Sequence, residues 1–201
     1  MGLDIKAFRG LKPAEGFTVA DGEVYGPDGA YAGWAVYFNL DGGSRAPELS
    51  AGVVYTSADC FSFSAGSYGG YSTWRNQLAI LAGWAGDEKA WDEAERIMDA
   101  FYADATLDER RKAQKQPNAR HKADARPDSP FWELINFADN EGVIGAAVSA
   151  KLAKDFTEWQ ERAEKYAATL PSDDAGWFTA KYADWHKAFE MAADGGAVEF
   201  H

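Results

Sequence analysis

Residues 3–8, Leu-Asp-Ile-Lys-Ala-Phe, alternate apolar and polar, which predicts a short strand closed by Lys12-Pro13. A second strand is expected over 17–25, broken by a hairpin turn at Asp21-Gly22, and Pro27-Asp28-Gly29 marks a firmer turn. Further strands are expected at 31–40, rich in Trp34, Val36, Tyr37 and Phe38, and at 53–63. Turns rather than helices join these segments, so the sheet they form should be mostly antiparallel.

The period changes after Tyr71. Ser72 or Thr73 is placed to cap a helix with Trp74, Leu78 and Leu81 on its inner face, ended or kinked by Gly83. A second helix is predicted over 87–102, with Trp91, Ala94, Met98 and Phe101 at three- and four-residue steps. Ser129-Pro130 opens a short, strongly apolar helix. After Asp139-Asn140-Glu141-Gly142 a long helix is expected over 143–170, with Asp139 or Asn140 as its cap. Pro171 to Asp174 breaks it and caps a last helix over 175–193, and residues 197–200 read as a strand able to return to the sheet. The expected architecture is α+β: an N-terminal antiparallel sheet over about residues 3–65, joined by a strand at 197–200 and packed against four to five helices in one domain.

Composition adjusts this picture at a few points. A chain of 201 residues that is 46% hydrophobic and holds eight Trp can bury a sizeable core. Its net charge of −12 disfavours a phosphate-backbone binder, which needs clustered Lys and Arg. Residues 105–128 run the other way, with seven bases (Arg110, Arg111, Lys112, Lys115, Arg120, Lys122, Arg126) against four acids and almost no large apolar side chain. That segment reads as an exposed loop or insertion, and it leaves the remainder more acidic still. One cysteine, Cys60, allows no intramolecular disulfide, and its strand pattern suggests a small core residue. Three scattered histidines show no metal-ligand spacing, so neither metal nor cofactor is expected. The N-terminus carries an early acid and no signal-like apolar run, and no stretch reaches membrane-span length, so a soluble cytoplasmic protein is expected.

Two constellations could carry chemistry. The first is the junction at 62–84, where glycines and hydroxyls precede a predicted helix start. Free amides and the helix dipole there suit a phosphate or carboxylate, with Ser67 and Ser72 as donors and Arg75 as a charged fork. Tyr68, Tyr71 and Trp74 are able to stack on a base or sugar. The competing reading is a tight strand-to-helix connection whose aromatics are core. There is no Walker loop and no dinucleotide fingerprint. The second constellation is Asn136, Asp139 and Glu141, which either cap the long helix or face a cleft to bind an amine or ribose hydroxyls, or act as acid and base. His186 and Glu190, one turn apart, read as an outer-face pair rather than a polarised base.

Three blocks carry a resemblance: Tyr-Gly-Gly-Tyr-Ser-Thr-Trp-Arg-Asn-Gln-Leu-Ala from Tyr68, the Pro-Phe-Trp-Glu-Leu-Ile-Asn-Phe-Ala-Asp-Asn-Glu-Gly-Val-Ile-Gly block from Pro130, and the tail from Lys187 to Phe200. In these, and in its Met-Gly-Leu-Asp start, the chain resembles uncharacterised proteins encoded by bacteriophages and prophages. The resemblance covers about half the chain and implies an accessory protein of the host cytoplasm, of a sort that often interferes with host defence. The leading expectation is a binding protein for a small anionic, phosphorylated or nucleotide-derived ligand such as an immune signal. One alternative is an acidic inhibitor of a host defence protein that mimics nucleic acid. The other is a small hydrolase using Asp139 and Glu141, or His186. Binding is expected ahead of catalysis.

Overall fold

The computed structural model describes residues 2–40, 44–83, 127–137 and 142–201. The helix expected at 87–102, most of the basic segment, and Asp139, Asn140 and Glu141 lie outside the described residues. The fold is α+β. The chain divides into two compact units, Met1–Tyr68 with Ala138–His201, and Gly69–Phe137.

The first unit is built on strand β1 (Gly2–Arg9). It is central in a four-stranded antiparallel sheet, whose other strands are β7 (Asp59–Ser67), β9 (Ala197–Phe200) and β8 (Val143–Gly145), in the order β7-β1-β9-β8. Strands from both ends of the chain therefore form the main sheet. The strand at 197–200 returns to it as expected, and the further C-terminal strand is β8, in a stretch expected to be helix. Alternation puts Leu3, Ile5 and Ala7 inside and Asp4 and Lys6 outside. At Phe8 the pattern fails and two successive residues are buried, because both faces of the sheet are covered there.

Helices cover the inner face: α3 (Ala146–Ala167) and α4 (Ser172–Ala192). Trp185 of α4 meets Phe63 edge-on with ring centroids 5.0 Å apart, and Phe200 at 5.5 Å. Phe156 of α3 meets Tyr182 at 4.7 Å. These rings sit on the three- and four-residue stripes expected from the sequence, and each pair contributes about 0.5–1.5 kcal/mol beyond its burial. Short antiparallel pieces cover part of the outer face: β2 (Lys12–Pro13), β6 (Val54–Thr56) and β5 (Ala35–Tyr37) form one sheet, and β3 (Thr18–Ala20) pairs with β4 (Glu23–Tyr25) in a hairpin. Phe8, Phe38, Tyr55, Val143 and Ala197 make the core between this layer and the main sheet.

Four expected boundaries move. The segment 53–63 is two strands, β6 and β7, not one. Only Ala35–Tyr37 of 31–40 is paired as a strand. The first three residues of the expected 143–170 helix are β8, whose register with β9 buries Val143, Ile144 and Gly145. The expected caps of this helix, Asp139 and Asn140, lie outside the described residues. The N-cap position is Gly145, and the Ala147 amide donates to Glu48 Oε1 at 3.1 Å, from a residue 99 positions away. Glycine is required at 145, since a Cβ would strike the Glu48 carboxylate and the Ala46 backbone.

In the second unit, α1 (Tyr68–Leu81) follows β7 with no intervening loop, so the glycine-rich junction is the helix itself. Thr73 is not its cap, because its hydroxyl donates back to the Gly69 carbonyl. The helix at Ser129-Pro130 is a single turn, α2 (Trp132–Ile135), preceded by Phe131 in the left-handed region at φ 58°. Four helices are present among the described residues.

Two outcomes test this packing. A Cβ at Gly196 would overlap the Phe8 carbonyl oxygen, so Gly196→Ala should lower the chemical-denaturation midpoint by the equivalent of about 2–4 kcal/mol. An unchanged midpoint would contradict the β1–β9 crossing. Burial raises the Tyr182 phenol above its usual value, and its hydroxyl donates to the Phe156 carbonyl at 2.8 Å. The unfolded chain ionises Tyr near pH 10 while the folded one does not, so this contribution is complete below about pH 10 and is lost as pH rises beyond it. Tyr182→Phe should flatten the alkaline fall of stability measured by denaturant titration from pH 9 to 11.

Candidate functional site

The predicted site residues occupy several environments. Ser67 ends β7 and is exposed, and Tyr68 begins α1 and is partly exposed. Ser72 is half-buried, whereas Tyr71, Trp74 and Arg75 are packed inside. Arg75 Nη1 donates to the carbonyls of Phe137 at 2.7 Å and Ile135 at 3.3 Å, and Tyr71 Oη donates to the same Phe137 carbonyl at 3.0 Å. The guanidinium carbon lies 4.6 Å from the centre of the Tyr71 ring. Asn136 is half-buried and donates to the Trp132 carbonyl at 3.0 Å. The two stretches singled out in the sequence thus meet at 71–75 and 135–137. The contact is a clamp on the end of α2: one cation and one phenol satisfy carbonyls that a one-turn helix leaves without intrahelical partners. Asp139 and Glu141 fall outside the described residues.

His186 stacks on Phe156 and lies 3.1 Å from Thr157 Oγ1 and 3.4 Å from Glu190, in the expected helical pair. Cys60 is exposed, which corrects its reading as a core residue. No cluster of His, Cys, Asp or Glu among the described residues is arranged to hold a metal ion. No described helix is long and apolar enough to cross a membrane.

A different place in the first unit has the form of a binding site. The outer β layer covers the Phe8 end of β1 but leaves the Lys6 end open. Between the open sheet face and the hairpin region lies a cleft of ≈ 370 Å³. Its floor comes from strand register. Lys6 stands opposite Ser62 of β7 on one side and Glu199 of β9 on the other. His201 follows β9, held to β1 by paired backbone hydrogen bonds with Asp4 at 2.9 and 3.1 Å. Its Nε2 lies 2.8 Å from Glu199 Oε2, and the Glu199 side chain is only 14% exposed. Cys60 and Ser62 complete the floor. Among the described residues no hydrogen bond or ion pair engages the Lys6 ammonium, while His201 binds one oxygen of the neighbouring Glu199 carboxylate.

The wall is aromatic. Asp21 and Gly22 both have positive φ, 53° and 80°, which gives the tight turn that matches strand twist and closes the β3–β4 hairpin. The Pro27-Asp28-Gly29 turn, closed by the Ala30 amide on Asp28 Oδ1, then sends the chain back so that Tyr31 bridges Tyr25. Tyr31 folds over Gly33, where a Cβ would stand 2.8 Å from its ring. Trp34 is braced edge-on by Phe17 at 5.4 Å and yet stays 64% exposed, as Tyr31 stays 66% exposed. Both line the cleft with Tyr37 and Glu23. Tyr25 donates to Glu23 at 2.8 Å, and that bond to a carboxylate holds the phenol above its usual value, so it remains a donor.

Among the described residues, none of those singled out as ligand-binding in the sequence lines this cleft. The signal available was the pairing of two aromatics around a glycine, Tyr31-Ala-Gly-Trp34, in a turn-rich stretch where a core strand would need alternation. No family model, curated protein or solved structure matches the chain.

The clamp and the ligand readings of Arg75 separate experimentally. Arg75→Ala strands the Ile135 carbonyl and leaves that of Phe137 with the Tyr71 hydroxyl, and should cost about 1–3 kcal/mol in urea denaturation. A variant with unchanged stability and lost ligand binding would return Arg75 to the ligand site.

Proposed function

We propose that this protein binds a small ligand with a planar ring and an anionic group, nucleotide-like in character, in the cleft between Trp34 and Lys6. The observation that carries the reading is the pairing of exposed, braced aromatic rings with an unengaged ammonium on a floor of registered strands. A ring laid on Trp34 or Tyr31 gains stacking of about 1–3 kcal/mol. The ammonium supplies a charge-assisted hydrogen bond to phosphate or carboxylate. Because both sides are set by backbone pairing and by ring contacts, little ordering cost remains at binding. The volume suits a mononucleotide-sized molecule and lies in the range of small-molecule sites.

Among the described residues of the cleft none is a nucleophile hydrogen-bonded to a base, and we read the site as one of sequestration rather than turnover. For a chain resembling phage accessory proteins, removal of a host nucleotide signal is the use we propose for such a site. The alternative of an acidic inhibitor of a host protein draws only on the net charge.

The single cysteine supplies the test, because Cys60 lies in the cleft floor. A nucleotide panel should raise the melting temperature and slow the reaction of Cys60 with a chromogenic disulfide reagent. Trp34→Ala and Lys6→Ala should each weaken binding about tenfold or more while the fold persists. Thiol reactivity unchanged by every nucleotide, with no thermal shift, would remove this reading.

A further inference from the structure

The cleft's charges limit the ligand further. Lys6 is accompanied by two carboxylates, Glu23 and Glu199, and by His201. One ammonium against two carboxylates does not suit a polyphosphate, since each added negative charge meets repulsion in a partly enclosed site. Conversely, an ionised carboxylate is an acceptor only, so the floor calls for donor groups on the ligand, N–H or O–H.

Glu199 is the better placed of the two acceptors. Glu23 already receives the Tyr25 hydroxyl. On Glu199, His201 occupies Oε2, which fixes the carboxylate and leaves Oε1 as the acceptor available to a ligand. The neighbouring position across the strand pair is Lys6, with strands about 4.8 Å apart, so an acceptor and a cation stand side by side.

We infer that the cleft selects an amino-bearing nucleoside monophosphate, with Glu199 accepting from the exocyclic amino group of the base and Lys6 holding the single phosphate. This rests on the cleft being the ligand site proposed above. A site built to accept from an exocyclic amino group discriminates against the analogue that lacks that group, because the buried acceptor at that place is then left without a partner. Glu199 is a specificity-determining residue and His201 a positioning residue.

Calorimetric titration of two matched pairs tests the inference: guanosine against inosine 5′-monophosphate, and cytidine against uridine 5′-monophosphate. In at least one pair the amino-bearing member should bind about tenfold tighter, as for one charge-assisted hydrogen bond. It should also bind no more weakly than its triphosphate. In Glu199→Gln the His201 contact retains the amide oxygen and turns the amide N–H₂ toward the ligand. The preference should then disappear, or invert toward uridine in the second pair. His201→Ala, which frees the carboxylate to rotate, should reduce the preference while leaving stacking intact. Binding of nucleotides with no preference within either pair, or a preference that survives Glu199→Gln, would overturn the selectivity and leave the cleft as a site. Absence of binding by any nucleotide would overturn both.

Discussion

Strand β1 is covered on both faces at Ala7 and Phe8 but on only one at Asp4 and Lys6, and the rest of the first unit follows from that difference. On the inner face, its apolar side chains join the core that α3 and α4 cover with Trp185, Phe189 and Phe156. On the outer face, Phe8 meets Phe38 with ring centroids 5.7 Å apart, and Phe38 in turn meets Tyr55 at 5.9 Å. Burial of large aromatics fixes the β layer at that end, since each removes on the order of 150–250 Å² from water. Lys6 offers no such surface, so the layer stands off and a cleft is left. Register does the remaining work. A slip of one residue along β1 would exchange Lys6 for Ile5 on the outer face and destroy both the core and the cleft floor.

The parts of the fold set by local chemistry were legible in the chain. The turn at Asp21-Gly22, the stripes of α3 and α4, and the returning strand at 197–200 are written in turn residues and in periods of 2 and 3.6. The parts set by distant partners were not. Val143-Ile144-Gly145 reads as the start of a helix until β9 is there to pair with it. The α3 start has no local cap because Glu48 supplies the acceptor from 99 residues upstream. Trp34 reads only as part of an expected strand, and the fold shows it braced on its edge and largely exposed.

The aromatic, arginine-bearing helix start illustrates the same point for function. Tyr71 and Arg75 have the chemistry of an anion site, and the sequence places them next to glycines. In the second unit they are turned toward the Phe137 and Ile135 carbonyls, and their hydrogen-bonding capacity goes into holding a one-turn helix behind the left-handed Phe131. A left-handed, buried phenylalanine costs of the order of 1–3 kcal/mol and persists only where its surroundings fix it. In the first unit the inverse holds. Lys6, Glu199 and His201 are unremarkable residues in sequence, separated by almost the whole chain, and three-strand register makes them neighbours.

The direct measurement is an amide and indole chemical-shift titration of the ¹⁵N-labelled full chain with guanosine and cytidine 5′-monophosphates. The account predicts saturable shifts concentrated at Lys6, Trp34, Ser62 and His201, with the Trp34 indole among the largest. Shifts concentrated instead at Tyr71, Arg75 and Asn136, or no saturable shift with either nucleotide, would contradict it.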